Sequence, residues 1–444
     1  VKVAVAHALG CAAALSLALA GGARGETAAA PGKGVRSGAA RWTTSVTAGF
    51  DTFVHTYPLA ADDTTETVTE LNFGASIQGR AAPRSVGDWL VRVEGAAGTE
   101  LFRERFETYY AWRPVDRIAR IRVAGELLGR QYGGTTDYSL NSDNWEGRTE
   151  LRVAPLANRS WMIDLRAEGA FQDYRTPSTL EQDRRDLRFS AFVSAPPSAE
   201  TLWRLGLRRL SRSYPDTAEI DCEIVAAELE LTTVAAPGEG LHLYHRSDRR
   251  RVNDDTVRPS AWSHWGDLTL SVPAGPGELI VSGEDEIWKY DYETPAYFDS
   301  WRLRGEIGYR IGDLLTSAWQ IGVTGERLDA GSRAETYDQV GVKLELESYG
   351  ADVNGGVSVE FGRRDYAVAG SASSALTTAN SLQPDLYEFT YTDFDYWAIW
   401  VLGSWRLSAS LALEVMANYQ PESHTEKSDD AALGFASVRL VWRR

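Results

Sequence analysis

Trp145-Glu-Gly-Arg-Thr-Glu-Leu-Arg-Val153 alternates without a break. Trp145, Gly147, Thr149, Leu151 and Val153 take one side; Glu146, Arg148, Glu150 and Arg152 take the other. A period of two belongs to a β-strand, because successive side chains point to opposite faces. On a helix the same charges would spread around the whole circumference. After a short gap containing Pro155 the pattern returns. Trp161, Ile163, Leu165, Ala167 and Phe171 oppose Asp164, Arg166 and Glu168.

The alternation extends in both directions. Ala119, Ile121, Val123, Gly125 and Leu127 oppose Arg120, Arg122 and Glu126. Trp301, Leu303, Ile307 and Tyr309 oppose Arg302, Arg304, Glu306 and Arg310. Val340, Val342, Leu344 and Leu346 oppose Lys343, Glu345 and Glu347; Val357, Val359 and Phe361 oppose Ser358 and Glu360. Half-buried antiparallel sheets of any kind share such faces. The connections discriminate among them, because they alternate short and long. Nine short turns, such as Pro155–Arg159 and Pro273–Gly277, interleave with ten longer polar loops, such as Gly133–Asp143, Ser247–Pro259 and Ala367–Asp393. That predicts about 20 strands, within a range of 18–22, closed into an all-β antiparallel transmembrane barrel with short periplasmic turns and long extracellular loops. A spanning strand needs roughly 9–11 residues, and the remaining chain fits the connections. Trp89, Trp161, Trp203, Trp319, Trp405 and Trp442 fall beside short turns. Tyr132, Tyr174, Tyr214, Tyr290, Tyr337 and Tyr366 fall beside long loops. This predicts two aromatic girdles at the headgroup levels.

The 444 residues carry a net charge of −16, which argues against a nucleic-acid partner. Mean hydropathy is −0.31 because it averages an apolar and a charged face. Residues 1–25 read as a cleaved signal peptide: Lys2 precedes an apolar run from Val3 to Ala20, then small residues. Residues 26–41 read as a periplasmic linker and 42–444 as the barrel. Cleavage would remove Cys11 and leave Cys222 alone, without an intramolecular disulfide.

The last strand, Ala431-Ala-Leu-Gly-Phe-Ala-Ser-Val-Arg-Leu-Val-Trp-Arg-Arg444, has a Gly, alternate apolar residues and a late aromatic. With these features the chain resembles Gram-negative outer-membrane β-barrel proteins of the porin-like or polysaccharide-export type. It departs from their terminal signal by ending on Arg443-Arg444. The resemblance implies residence in the outer membrane, with its lipid and lipopolysaccharide as surroundings. It also implies the barrel-assembly machinery as a partner, and periplasmic export components for a secreted polymer.

If the apolar faces meet lipid, Arg120, Arg122, Arg148, Arg152, Arg166, Arg302, Arg304, Arg310 and Lys343 line the lumen. So do Glu146, Glu150, Glu168, Glu306, Glu345, Glu347 and Glu360. The opposite orientation would put charges in hydrocarbon at roughly 2–4 kcal/mol each for Arg or Lys at the midplane. A wide barrel needs a constriction, and Tyr387, Glu388, Phe389, Tyr391 and Asp393 of the longest loop are the candidates. Arg249-Arg250-Arg251 stands out as a basic outer loop, and most other outer loops are acidic. A hydrolytic set could be assembled only from His264, Ser247 and Asp248, with nothing to position an oxyanion hole. No cofactor or metal motif occurs. The expectation is a non-enzymatic channel or translocon for polar solutes or a polymer such as an exopolysaccharide. The alternatives are a closed structural or assembly barrel and a lipid- or lipopolysaccharide-modifying hydrolase.

Overall fold

The computed structural model describes residues 41–443 except 57–64, 82–86, 99–100, 116–118, 133–143, 155–160, 176–181, 197–199, 237–238, 295–296, 314–315, 332–334, 369, 372–389 and 426. The signal peptide and all of the linker but Arg41, which opens the first strand, thus lie outside the described residues.

β1 is Arg41–Thr56, β2 Thr65–Ala81, β3 Gly87–Ala97, β4 Leu101–Val115 and β5 Ala119–Tyr132. β6 is Asn144–Ala154, β7 Met162–Tyr174, β8 Arg184–Ala195, β9 Thr201–Ser213 and β10 Cys222–Ala236. β11 is Glu239–Val252, β12 Ala261–Ala274, β13 Gly277–Tyr290, β14 Ser300–Asp313 and β15 Ser317–Ala330. β16 is Tyr337–Tyr349, β17 Val353–Tyr366, β18 Phe394–Arg406, β19 Leu411–His424 and β20 Ala431–Arg443. Each strand pairs antiparallel with its neighbours in the chain, in one 20-stranded sheet. β1 then pairs with β20, from Ser45 against Arg443 to Thr56 against Ala432. The sheet is therefore a closed barrel, which leaves no unpaired edge to aggregate.

Register follows from the two-faced pattern, since a one-residue slip would turn every side chain to the wrong face. The convex face is apolar and open: Leu207 is 65% exposed, and Ile307, Ile321 and Val340 are nearly as open. The concave face carries the charges and is crowded, with Glu168, Glu228, Glu286 and Glu360 buried. Apolar surface on this scale is unstable in water and stable in lipid. The protein is an integral outer-membrane barrel. Its periplasmic rim carries an outward tryptophan girdle that includes the edge-to-face pairs Trp42–Trp89 and Trp161–Trp203.

The two ends of the wall are built differently. At the periplasmic end β12 and β13 meet in a two-residue turn, Gly275-Pro276. Gly275 has φ +63°. Pro276 cannot take positive φ, so type I′ is excluded and the turn is of type II′, which needs Gly first. At the outer end the ladders are closed by a repeated carboxylate staple. The backbone N–H at the end of one strand donates to an aspartate just before the next strand. The pairs are Tyr174–Asp183, Tyr214–Asp221, Tyr290–Asp299, Tyr366–Asp393 and His424–Asp430, at 2.6–2.8 Å. Each satisfies a donor that the ladder would otherwise leave unpaired. Much of the acid in these loops is thereby accounted for by chain geometry.

One connection differs from expectation. Arg249-Arg250-Arg251 is not in a loop, because β11 continues to Val252.

Candidate functional site: the lumen wall and its outer mouth

The cross-strand registers place Arg122, Arg148, Arg152, Arg166, Glu146, Glu150 and Glu168 on the concave face, as they do Arg302, Arg304, Glu306, Arg310, Lys343, Glu345, Glu347 and Glu360. Arg120 belongs to the same strand face, but its side chain lies outside the described residues. Alternation explains the face; register explains the pairing. Glu168 stands directly opposite Arg188 and binds it at 3.1 Å, and Arg148 reaches it at 3.0 Å from the other side. Asp164 takes Arg152 and Arg166 together. Arg212 grips Asp186 through two nitrogens, at 2.8 and 2.9 Å. Lys343 bridges Glu306 at 3.1 Å and Glu345 at 2.8 Å. Arg310 binds Glu278 at 2.8 Å. Opposite charges side by side on neighbouring strands hold a round wall and leave a polar inner surface without a patch of one sign.

The outer mouth overturns one expectation. Tyr174, Tyr290, Tyr337 and Tyr366 share the concave face with the lumen charges, so they are not a lipid-facing girdle. Their hydroxyls find partners there: Tyr337 donates to Glu326, and Tyr174 accepts from Gln172 at 2.6 Å. A phenol turned to the lumen keeps its polar end bonded, which lipid would not allow. Two of these tyrosine groups hold arginines. In the first, Arg364 stacks on Tyr337 at 4.0 Å and donates to Gln339 at 2.8 Å and to Tyr366 at 3.5 Å. In the second, Arg250 lies 5.4 Å from the Trp288 ring and 5.8 Å from the Tyr290 ring. Arg258 reaches the Tyr297 ring from the β11–β12 connection, also at 5.8 Å.

A second feature escaped the alternation pattern. Trp400, Leu402, Met416, Phe435 and Phe53 face the lumen as an apolar stripe between the charged walls. Leu402 is 63% exposed, and Phe53 packs on Phe435 at 4.9 Å. In β18, Asp395-Tyr-Trp-Ala-Ile-Trp-Val-Leu402 is apolar on both faces, so no period announces which side is inner.

The constriction candidates divide. Tyr387, Glu388 and Phe389 lie outside the described residues, as does the side chain of Tyr391. The Tyr391 backbone pairs with Gly370 in a short ribbon. Asp393 sits in the rim: besides its staple to Tyr366, its carbonyl accepts from Thr425 at 3.1 Å.

The hydrolytic set is not assembled. Ser247 pairs with His264, and both lie on the convex face; Asp248 lies on the concave face, holding Ser263 at 2.7 Å and Arg246 at 2.6 Å. His245 stacks on His264 at 6.1 Å. No hydrogen bond joins either imidazole to Ser247 among the described residues. The three basic residues divide by the same parity. Arg249 and Arg251 point outward, with Arg249 bound to Asp291, and Arg250 points inward. They therefore form no common patch.

No family model and no curated protein matches this sequence. Solved structures do. The chain is similar to the copper transporter OprC at 8% identity and a TM-score of 0.55, covering 94% of this chain and 82% of that one. It is similar to the FrpB iron transporter of Neisseria meningitidis at 10% identity and a TM-score of 0.54, covering 91% and 81%. It is also similar to the ferric enterobactin receptor PfeA of Pseudomonas aeruginosa at 9% identity and a TM-score of 0.53, covering 90% and 80%. At such identity the likeness is one of fold.

Proposed function

We propose that this barrel is a non-enzymatic conduit for polar solutes across the outer membrane. The observation that carries the reading is the inner wall. It is polar and ion-paired nearly all round, and the described residues contain no domain besides the barrel. Barrels of 16–18 strands already leave an aqueous channel, and this one has 20. The structures it resembles are named as transporters or receptors, which accords with transport and does not identify a cargo.

The lumen stripe supports a finer reading, export of a polymer such as an exopolysaccharide. Sugar rings have apolar C–H faces and polar edges. Trp400 and Phe435 offer flat surfaces to the first and the Arg–Glu lattice offers partners to the second. On this reading periplasmic export components hand the polymer to the short-turn rim.

Conductance tests the first reading. Purified barrel reconstituted in a planar bilayer is expected to give discrete ohmic steps with little preference for either ion sign, because the lattice is mixed. A barrel that is folded and inserted but silent would favour the closed structural alternative. Slowed passage of oligosaccharide in wild type, relieved in Trp400→Ala, would support the finer reading.

A further inference from the structure

The lumen lattice pairs most of its cations with a carboxylate, and Arg250 and Arg258 are not among them. Arg250 is only 6% exposed. Its Nε and Nη2 have no hydrogen-bond partner, and neither has the Nε of Arg258. No carboxylate forms an ion pair with either residue among the described residues. One bond from Arg250 goes to the Tyr290 hydroxyl. The walls are otherwise aromatic: Trp288 and Tyr290 flank Arg250, and Tyr297 flanks Arg258. Trp288 and Tyr290 are themselves stacked, with an interplanar angle of 16°.

The position is fixed by rigid parts. Arg250 lies on β11 near its outer end, with the lumen-facing Ile224 and Ala261 as its cross-strand neighbours. Neither neighbour can supply a charge. The connection carrying Arg258 is tied down at both sides. Asp255 takes the Ser260 hydroxyl and N–H, and the Ser260 Oγ takes the Val252 N–H at 3.0 Å. Pro259 is fully buried beside it. Arg258 is half-buried and forms the edge of the group toward solvent.

Tyr290 and Tyr297, the rings that Arg250 and Arg258 reach, lie 5.7 Å apart, so two guanidinium groups with unused donors share one aromatic neighbourhood. A guanidinium presents a planar fork that matches a carboxylate or phosphate edge through two parallel bonds. Flat aromatic walls select a ligand with a planar body behind that edge. We propose that Arg250 and Arg258, walled by Trp288, Tyr290 and Tyr297, form a binding site at the outer mouth of the lumen for an oxyanion carried on an aromatic or otherwise planar body. The site goes beyond the conduit reading and does not depend on it: an anion can bind a barrel that does not conduct.

The test uses the full barrel in detergent or nanodiscs, with benzoate, inorganic phosphate and benzyl alcohol as probes. Saturable benzoate binding is expected by calorimetry, with phosphate at least 10-fold weaker and benzyl alcohol not binding. Arg258→Gln is expected to weaken benzoate at least 10-fold, and Arg250→Gln as much or more. Arg251→Gln, on the convex face, is expected to leave binding unchanged. Heat-modifiable gel mobility reports whether each variant is folded. Arg258→Gln, in a connection, keeps the test decisive if Arg250→Gln does not fold. Absence of saturable benzoate binding to folded wild type would overturn the proposal. So would phosphate binding without benzoate, or full affinity in Arg258→Gln. Bilayer conductance fails or succeeds separately, so the two readings are distinguished.

Discussion

The two arginine–aromatic groups at the outer mouth use the same residue types and reach opposite states. Around Arg364, Tyr337 gives a stacking face, Gln339 and Tyr366 accept hydrogen bonds, and Glu326 anchors Tyr337 and binds Arg302 at 2.9 Å. Around Arg250 the aromatic faces are present, but the carboxylate is missing and a second arginine stands in its place. Burial of a charge is costly unless it is paired. The first group is thus a structural joint between β14, β15, β16 and β17. The second carries an unmet demand for negative charge, which structure alone does not require. The difference is one of partners and of distance: Arg364 lies 4.0 Å from its ring, and Arg250 5.4 Å from the nearer of its two.

The largest effect that could break this contrast is at Glu326. Glu326→Ala removes the carboxylate shared by Arg302 and Tyr337, leaving the buried Tyr337 hydroxyl without its acceptor and half-buried Arg302 with only Glu286 at 3.7 Å. Unfolding in urea from lipid vesicles is expected to show a loss of roughly 3 kcal/mol. A loss under about 1 kcal/mol would mean that the first group is not a joint.

A paired comparison comes next. Arg364→Met leaves Gln339 and Tyr366 without their donor and is expected to cost about 1.5–3 kcal/mol. Arg250→Met breaks no ion pair and removes one of two like charges in the same aromatic neighbourhood, so it is expected to be neutral or stabilising. Equal losses in the same assay would erase the distinction between the two groups.

The smallest effect sharpens it from the residue next door. Arg249, one step from Arg250 and on the other face, does have a carboxylate, Asp291, just past the end of β13. The hydrogen bond from Arg249 holds the Asp291 carboxyl below its ordinary range. A depressed carboxyl contributes stability above its unfolded pKa and loses it as pH falls through the folded value. The stability difference between wild type and Asp291→Asn is therefore expected to be constant from about pH 6 to 8 and to shrink as pH falls below the ordinary carboxylate range. It should not exceed about 1 kcal/mol, since the pair is solvent-exposed. A difference that grew on acidification would contradict the assignment.

The lumen charges were legible because Glu146, Arg148, Glu150 and Arg152 keep strict period two. The apolar stripe was not, because β18 is apolar on both faces, so Trp400 and Trp397 look alike in sequence though they face opposite sides. The tyrosines misled for a related reason. Proximity to a long loop locates Tyr290 at the outer level but says nothing about face, and parity counted from the lumen charges would have turned it inward. In sequence Asp299, Asp393 and Asp430 are only part of the loops' acidity, because a staple is visible only when two strand ends are brought together. Asp248 entered a triad with Ser247 by adjacency, although neighbouring strand residues point to opposite faces.

By itself the sequence determined the class of fold, the strand number to within about two and the two-sidedness of the wall. Period and connection length are local properties, and hydrocarbon on one side admits only one orientation. The tertiary structure decided which charges meet. Partners such as Asp51 and Arg439 are brought together only by closure of β1 on β20. For the same reason only the closed barrel reveals that Arg250 and Arg258 share a place with no carboxylate. A missing partner is a property of a three-dimensional neighbourhood, and no window of sequence contains one.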